Sequence, residues 1–253
     1  MKKLFKRLFW LFNLTLFCGC TTIQPPPEFI YIETPTDDFT IASWQKITSP
    51  QATYKIYIEG DGHAFNAHGT PTSDPTPRGE LLRELAFADT SPNIIYLARP
   101  CQYLSSPQCS VKYWTTARFA PEVINSSYQA IKQIASNNQL ILIGFSGGAQ
   151  IAELLAATTD LNVKKIITIA GNLDHTAWTA YHHLPTLSDS LNAADYRAKL
   201  ANIPQTHYTG TDDRVIPPKL SRQIVSSSQL IEVPNATHSS GWQKIYPLIW
   251  QEQ

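Results

Sequence analysis

From about residue 40 to its C-terminus the chain alternates short apolar runs with longer stretches whose apolar residues recur at helical spacing. The apolar runs are Tyr54–Ile58, Asn93–Leu97, Leu140–Ile143, Lys164–Ala170, Thr206–Thr209 and Leu230–Val233. They are too short for helices and are bounded by Gly, Pro, Asn and Asp, so they predict strands buried on both faces of a parallel sheet. Between them, Pro121–Asn137 places Ile124, Tyr128, Ile131 and Ala135 on one helical face, and a helix is expected to open within Asp74–Arg83, capped by Asp74 or Thr76, with Leu81, Leu82 and Leu85 as its apolar side. Phe29–Glu33 and Thr40–Ile47 are β-prone and predict two opening strands. Strand, helix, strand, helix in this order predicts an α/β fold: a doubly wound, mostly parallel sheet. With no internal repeat and no later shift in composition, the residues after the N-terminal region form one core.

The N-terminus follows a different pattern. Lys2, Lys3, Lys6 and Arg7 make a positive head, Leu8–Phe17 an apolar core too short to span a bilayer, and Phe17-Cys18-Gly19-Cys20 follows. This is the layout of an export signal, and its ending resembles a bacterial lipobox, with Phe17 where that pattern prefers leucine. The resemblance implies cleavage before Cys20 and attachment of lipid to it. Thr21 stands where lipoproteins kept in the inner membrane usually carry aspartate, which implies an outer-membrane anchor facing the periplasm; the alternative is an ordinary cleaved signal and a soluble secreted protein. Gln24-Pro-Pro-Pro27 predicts a stiff, extended tether. The expected organisation is therefore a signal over 1–19, a lipid-anchor site and tether over 20–39, and one domain over 40–253.

Removing the signal alters the charge. The chain has 20 basic and 20 acidic residues, and four of the basic ones precede Cys20, leaving 16 against 20. Nothing in that balance provides the concentrated basic face that nucleic-acid binding requires, so no nucleic-acid partner is expected. With Cys18 and Cys20 assigned to the signal, Cys101 and Cys109 are the remaining pair in a chain bound for an oxidising compartment, and they predict a disulfide.

The chemistry is suggested by Leu140-Ile-Leu-Ile-Gly144-Phe145-Ser146-Gly147-Gly148 and the good helix formers that follow. A serine at a sharp strand-to-helix turn needs very small neighbours, and its hydroxyl is then lifted above the sheet. The Gly147 N–H, at the helix start, would face a carbonyl oxygen that becomes negative during attack. Tyr54–Ile58 ends in Glu59-Gly60-Asp61-Gly62-His63, a second glycine-flanked turn at a strand's carboxyl end. It predicts a further N–H donor, on Asp61 or alternatively Gly62, with the Asp61 carboxylate turned away from the developing charge. His63 and His68 with Asp61 lack any metal-ligand spacing, so no metal and no cofactor is expected. Arg99 is open between anchoring a substrate carboxylate and pairing with an internal acid.

Two later segments complete the picture. Gly171–Asn202 holds His175, Trp178, Tyr181, His182 and His183 and reads as a small lid or pocket wall, or else as an ordinary helix with surface aromatics. Gly210-Thr-Asp212-Asp213-Arg214-Val215-Ile216-Pro217 is similar to the G-x-x-D-x-V-x-P turn that carries the triad acid in the α/β-hydrolase superfamily. Aligning Gly210, Val215 and Pro217 puts the acid at Asp213 rather than Asp212, with Asp174 a competitor just beyond an earlier strand. His238 lies in the loop after the last strand, giving the superfamily's order Ser, Asp, His.

The resemblance, over about residues 40–250, implies a serine hydrolase with Ser146 as nucleophile, His238 as base and Asp213 as acid, acting on a small-molecule or lipid-like acyl substrate. Cleavage of a carboxylic ester through an acyl-serine is the leading reading. Peptidase, thioesterase or acyltransferase chemistry on the same residues, or a non-catalytic binding lipoprotein, are the alternatives. Oligomeric state is not encoded in any of these patterns.

Overall fold

A computed structural model describes residues 24–252. Cys20 and the rest of the expected signal and lipid-anchor site lie outside the described residues.

Eight strands form one sheet: β1 Ile30–Pro35, β2 Thr40–Ile47, β3 Tyr54–Ile58, β4 Asn93–Leu97, β5 Leu140–Phe145, β6 Val163–Ile169, β7 Gln205–Gly210 and β8 Leu230–Val233. Their spatial order is β1-β2-β4-β3-β5-β6-β7-β8. β1 and β2 run antiparallel to their neighbours, and the six strands from β4 to β8 across the sheet are parallel. The expected doubly wound, mostly parallel sheet is therefore the architecture found.

Alternation along each strand divides the core in two. Ile56, Ile58, Leu140 and Leu142 face a cluster built with α2 (Pro121–Ala135) and α3 (Gly147–Thr158). Tyr57, Ile141, Ile143, Ile167 and Ile169 face the opposite cluster, covered by α1 (Leu81–Phe87) and the C-terminal helix Tyr246–Trp250 with Trp242. Because both faces are covered, β3 and β4 have no exposed position at all, which is why their sequences are continuous apolar runs.

The helix expected to be capped by Asp74 or Thr76 begins beyond both, at Leu81. Pro75 and Pro77 push the residues before them into extended backbone. Asp74 Oδ1 accepts from the Thr76 N–H at 2.9 Å, closing a local turn, and Thr76 Oγ1 accepts from the Tyr103 N–H at 2.7 Å. Neither residue caps a helix. The Cys101–Cys109 disulfide is present, in the long loop after β4. No helix among the described residues is long and apolar enough to cross a membrane.

Candidate active site

The parallel strands all end at one edge of the sheet, and the loops leaving that edge bring together residues far apart in sequence. Ser146 lies between β5 and α3 with φ 51° and ψ −119°, a left-handed conformation that costs free energy for a residue with a Cβ. Its neighbours explain how the turn is held. A Cβ on Gly144 would lie 2.5 Å from the Gly148 carbonyl oxygen, and one on Gly148 would collide with the Ile58 carbonyl at the end of β3. Ser146 N–H donates to Ile169 O at 3.0 Å, and its own carbonyl accepts from Asn172 N–H at 3.0 Å. The strained residue is thus fixed from both adjacent strand ends.

His238, in the loop after β8, places Nε2 3.0 Å from Ser146 Oγ and Nδ1 2.9 Å from Asp213 Oδ2. The Phe145 ring packs beside the imidazole, with centroids 5.2 Å apart. Asp213 leaves β7 in the loop Thr211–Pro217, where its side chain is fully buried and Oδ1 accepts from the N–H groups of Val215 and Ile216 at 2.8 and 2.9 Å. One carboxylate oxygen is therefore occupied by backbone, and the other faces the imidazole. Asp212 is exposed. Asp174, the competing acid, caps the helix α4 (His175–Tyr181) through Thr176 N–H and Ala177 N–H and accepts from Asn192, all on Oδ1. It forms no hydrogen bond with His238.

The turn after β3 sits directly beside the serine. A Cβ on Gly60 would lie 3.2 Å from Ser146 Cβ, and one on Gly147 would collide with the Asp61 carboxylate. The carboxylate thus lies against the Cα side of Gly147. Its charge is met by two arginines: Arg99 Nη1 pairs with Oδ1, and Arg118 Nη1 with Oδ2 at 2.6 Å. Burial works to raise the Asp61 pKa, but Arg118 and Arg99 outweigh it and hold the carboxyl below its ordinary value. Arg99 is thereby committed to an internal acid, the second of its two open roles. Among the described residues neither Asp61 N–H nor Gly147 N–H is taken up by a backbone acceptor.

Sequence reasoning did not single out Arg118 or Gln102. Arg118 belongs to an irregular loop without periodicity, and Gln102 was hidden behind its disulfide-bonded neighbour. Glu59 was read as part of a turn. Its buried side chain accepts from Gly60 N–H at 2.9 Å and from Tyr96 Oη–H at 2.5 Å, and burial, the dominant influence, raises its pKa against those bonds.

These groups open onto a cavity of about 770 Å³ whose lining includes Ser146, His238, Asp61, Arg118, Asn172 and Trp178. The segment Gly171–Asn202, expected as a lid, pocket wall or ordinary helix, contributes Trp178, Leu184, Pro185 and Leu187 to one wall. His63 and His68 do not join Asp61 in a cluster; among the described residues no group of three or more His, Cys, Asp or Glu side chains is placed to hold a metal.

The fold is similar to solved structures at low sequence identity. Est1E of Butyrivibrio proteoclasticus, solved with ferulic acid, shares 13% identity over 87% of this chain and 95% of its own, with a TM-score of 0.61. An α/β serine hydrolase without a lid from Xanthomonas campestris shares 12% over 90% and 93%, with a TM-score of 0.53. The thioesterase domain from the curacin biosynthetic pathway shares 12% over 87% and 98%, with a TM-score of 0.59. No curated protein matches the sequence. The family model described as serine hydrolase (FSH1) matches residues 104–239, more than half of the chain, and that span contains Ser146, Asp213 and His238. On that match the chain belongs to the FSH1 serine hydrolase family and is an α/β-hydrolase.

Proposed function

We propose that the protein cleaves a carboxylic ester through an acyl-serine intermediate, with Ser146 as nucleophile, His238 as general base and then general acid, and Asp213 as the residue that orients the imidazole. The single observation that carries this reading is the unbroken hydrogen-bonded path Ser146 Oγ–His238 Nε2, 3.0 Å, and His238 Nδ1–Asp213 Oδ2, 2.9 Å, opening on a cavity. A serine hydroxyl attacks a carbonyl readily only when a base removes its proton, and neutral imidazole does this near neutral pH. Asp213 favours the tautomer with hydrogen on Nδ1 and stabilises the imidazolium once formed.

As the hydroxyl oxygen bonds to the carbonyl carbon, the carbonyl oxygen becomes an alkoxide. Gly147 N–H and Asp61 N–H are the proposed donors to it, each worth roughly 3 kcal/mol of barrier if it behaves like measured donors. The protonated imidazole then gives its hydrogen to the departing alcohol oxygen, and water, deprotonated by His238, releases the acid. Net positive charge from Arg99 and Arg118 against one Asp61 carboxylate adds to the stabilisation of the alkoxide. The expected partner is a small-molecule or lipid-like acyl substrate.

The experiment is a hydrolysis screen of purified protein against esters of graded chain length, with thioester and aminopeptidase substrates alongside and a fluorophosphonate as a substrate-independent label. Ser146→Ala is expected to abolish both labelling and turnover. Persistent labelling removes Ser146 from the role. Turnover of the thioester or peptide series alone replaces the ester reading.

We infer an envelope location from the N-terminal sequence, with lipid on Cys20. Incorporation of an alkyne-palmitate that disappears in Cys20→Ala is the expected result.

A further inference from the structure

Two N–H groups stabilise an alkoxide only if their peptide planes are held at the right angle. Gly147 is aimed by the start of α3, but Asp61 lies in a loop. The peptide unit that carries Asp61 N–H also carries Gly60 C=O, and in a trans peptide the two point in opposite directions. The described residues contain no cis peptide. Gln102 Nε2 donates to Gly60 O at 2.9 Å, so the Asp61 N–H is turned to the side away from Gln102. That peptide lies against Ser146, since a Gly60 Cβ would come 3.2 Å from Ser146 Cβ.

Gln102 is itself immobilised. It is 2% exposed, and its Oε1 accepts from Arg99 N–H at 3.0 Å. A primary amide carries an acceptor and a donor on one rigid group, and here the acceptor must meet an N–H and the donor a carbonyl, which fixes its orientation. A Cβ on Gly62 would come within 2.8 Å of Gln102 Nε2, so the loop packs directly on the amide. The preceding residue, Cys101, has φ 70° and is tied to Cys109.

We propose that Gln102 is a positioning residue for the oxyanion: by holding the Gly60 carbonyl it aims the Asp61 N–H, and the Cys101–Cys109 bridge holds Gln102 in that place. The inference rests on the reading of Ser146 as nucleophile. A mere loop staple would affect stability alone; a positioning group acts on the transition state, so it lowers kcat and leaves ground-state binding intact.

The test compares the wild-type protein with Gln102→Met and Gln102→Glu, measuring the rate of Ser146 labelling by a fluorophosphonate together with kcat and KM on a short-chain p-nitrophenyl ester. Gln102→Met is expected to slow labelling and kcat about 10- to 100-fold with KM changed by less than about twofold. Gln102→Glu keeps an acceptor for Arg99 N–H; as a carboxylate it repels the Gly60 carbonyl, and as a carboxylic acid its hydroxyl donates to it. The rate of Gln102→Glu relative to wild type is therefore expected to rise as pH falls. A folded Gln102→Met with wild-type kcat, or with only KM altered, overturns the proposal. If that variant does not fold, a flat pH ratio for Gln102→Glu overturns it instead. Wild-type protein that neither labels nor turns over sinks the hydrolase reading and this inference together, whereas labelled wild type with unaffected variants sinks this one alone.

Discussion

Two aspartates stand at the same edge of the sheet, Asp61 after β3 and Asp213 after β7, and their surroundings are opposite. Asp213 is fully buried, holds two backbone N–H groups on one oxygen and meets the His238 imidazole with the other. Asp61 meets two guanidiniums. A carboxylate can stabilise a developing imidazolium only if its charge is not already matched by a fixed cation, so Asp213 is available to His238 and Asp61 is not. In the proposed mechanism Asp61 contributes its backbone N–H, and its side chain is held between Arg99 and Arg118. Residue type at a strand end therefore does not assign a role; the charges facing the residue do.

Glu153 on α3 extends the comparison. It too pairs with an arginine, Arg197, through two bonds of 3.0 and 2.7 Å, and its side chain is fully buried. Here burial outweighs the one cation, and the carboxyl is pushed up to about 7. Asp61 faces two cations and is held down. One arginine does not offset full desolvation of a carboxylate, and two arginines at a partly open site do.

The comparison makes four predictions. Asp213→Asn is expected to keep the fold and lower kcat by about 10⁴-fold, because the amide no longer favours the productive tautomer; steady-state kinetics beside Asp61→Asn decides it, since equal losses in kcat would erase the contrast between the two aspartates. Asp61→Asn leaves Arg99 and Arg118 facing each other, so it is expected to cost about 3 kcal/mol of stability, roughly 10 °C in Tm, with a far smaller loss of kcat. Replacing both Cys101 and Cys109 by Ser is expected to remove about 2–3 kcal/mol in urea denaturation, given the short loop that the bridge closes. Unchanged stability would show that the turn carrying Gln102 needs no staple.

The smallest effect belongs to Glu153→Gln. A carboxyl raised from 4.5 to about 7 on folding binds more protons in the native than in the unfolded state across that window, so its contribution is complete below about 4.5 and is lost as pH rises through 7. The Tm of wild type relative to Glu153→Gln is expected to fall between pH 5 and pH 8. A difference independent of pH would place the Glu153 carboxyl at its ordinary value.

The sheet was legible because its central parallel strands are buried on both faces and read as continuous apolar runs, as in Tyr54–Ile58 and Leu140–Ile143. The turn around Ser146 was legible because glycine is the one residue that fits where a Cβ would meet backbone at Gly144 and Gly148. The start of α1 was misread because capping residues and a proline also fit an extended segment, and Pro75 and Pro77 decided for the latter.

What the sequence determined by itself was the order of strands and helices and the identity of Ser146, Asp213 and His238 as the residues to watch, since local sterics and hydrophobic period act over a few neighbours along the chain. What tertiary structure alone decided was which charges face which: Asp213 on His238, Arg99 and Arg118 on Asp61, Gln102 on the Gly60 carbonyl. Those pairings join residues 25 to 57 positions apart, and Coulombic and hydrogen-bond energies depend on distance in space, which chain separation does not encode.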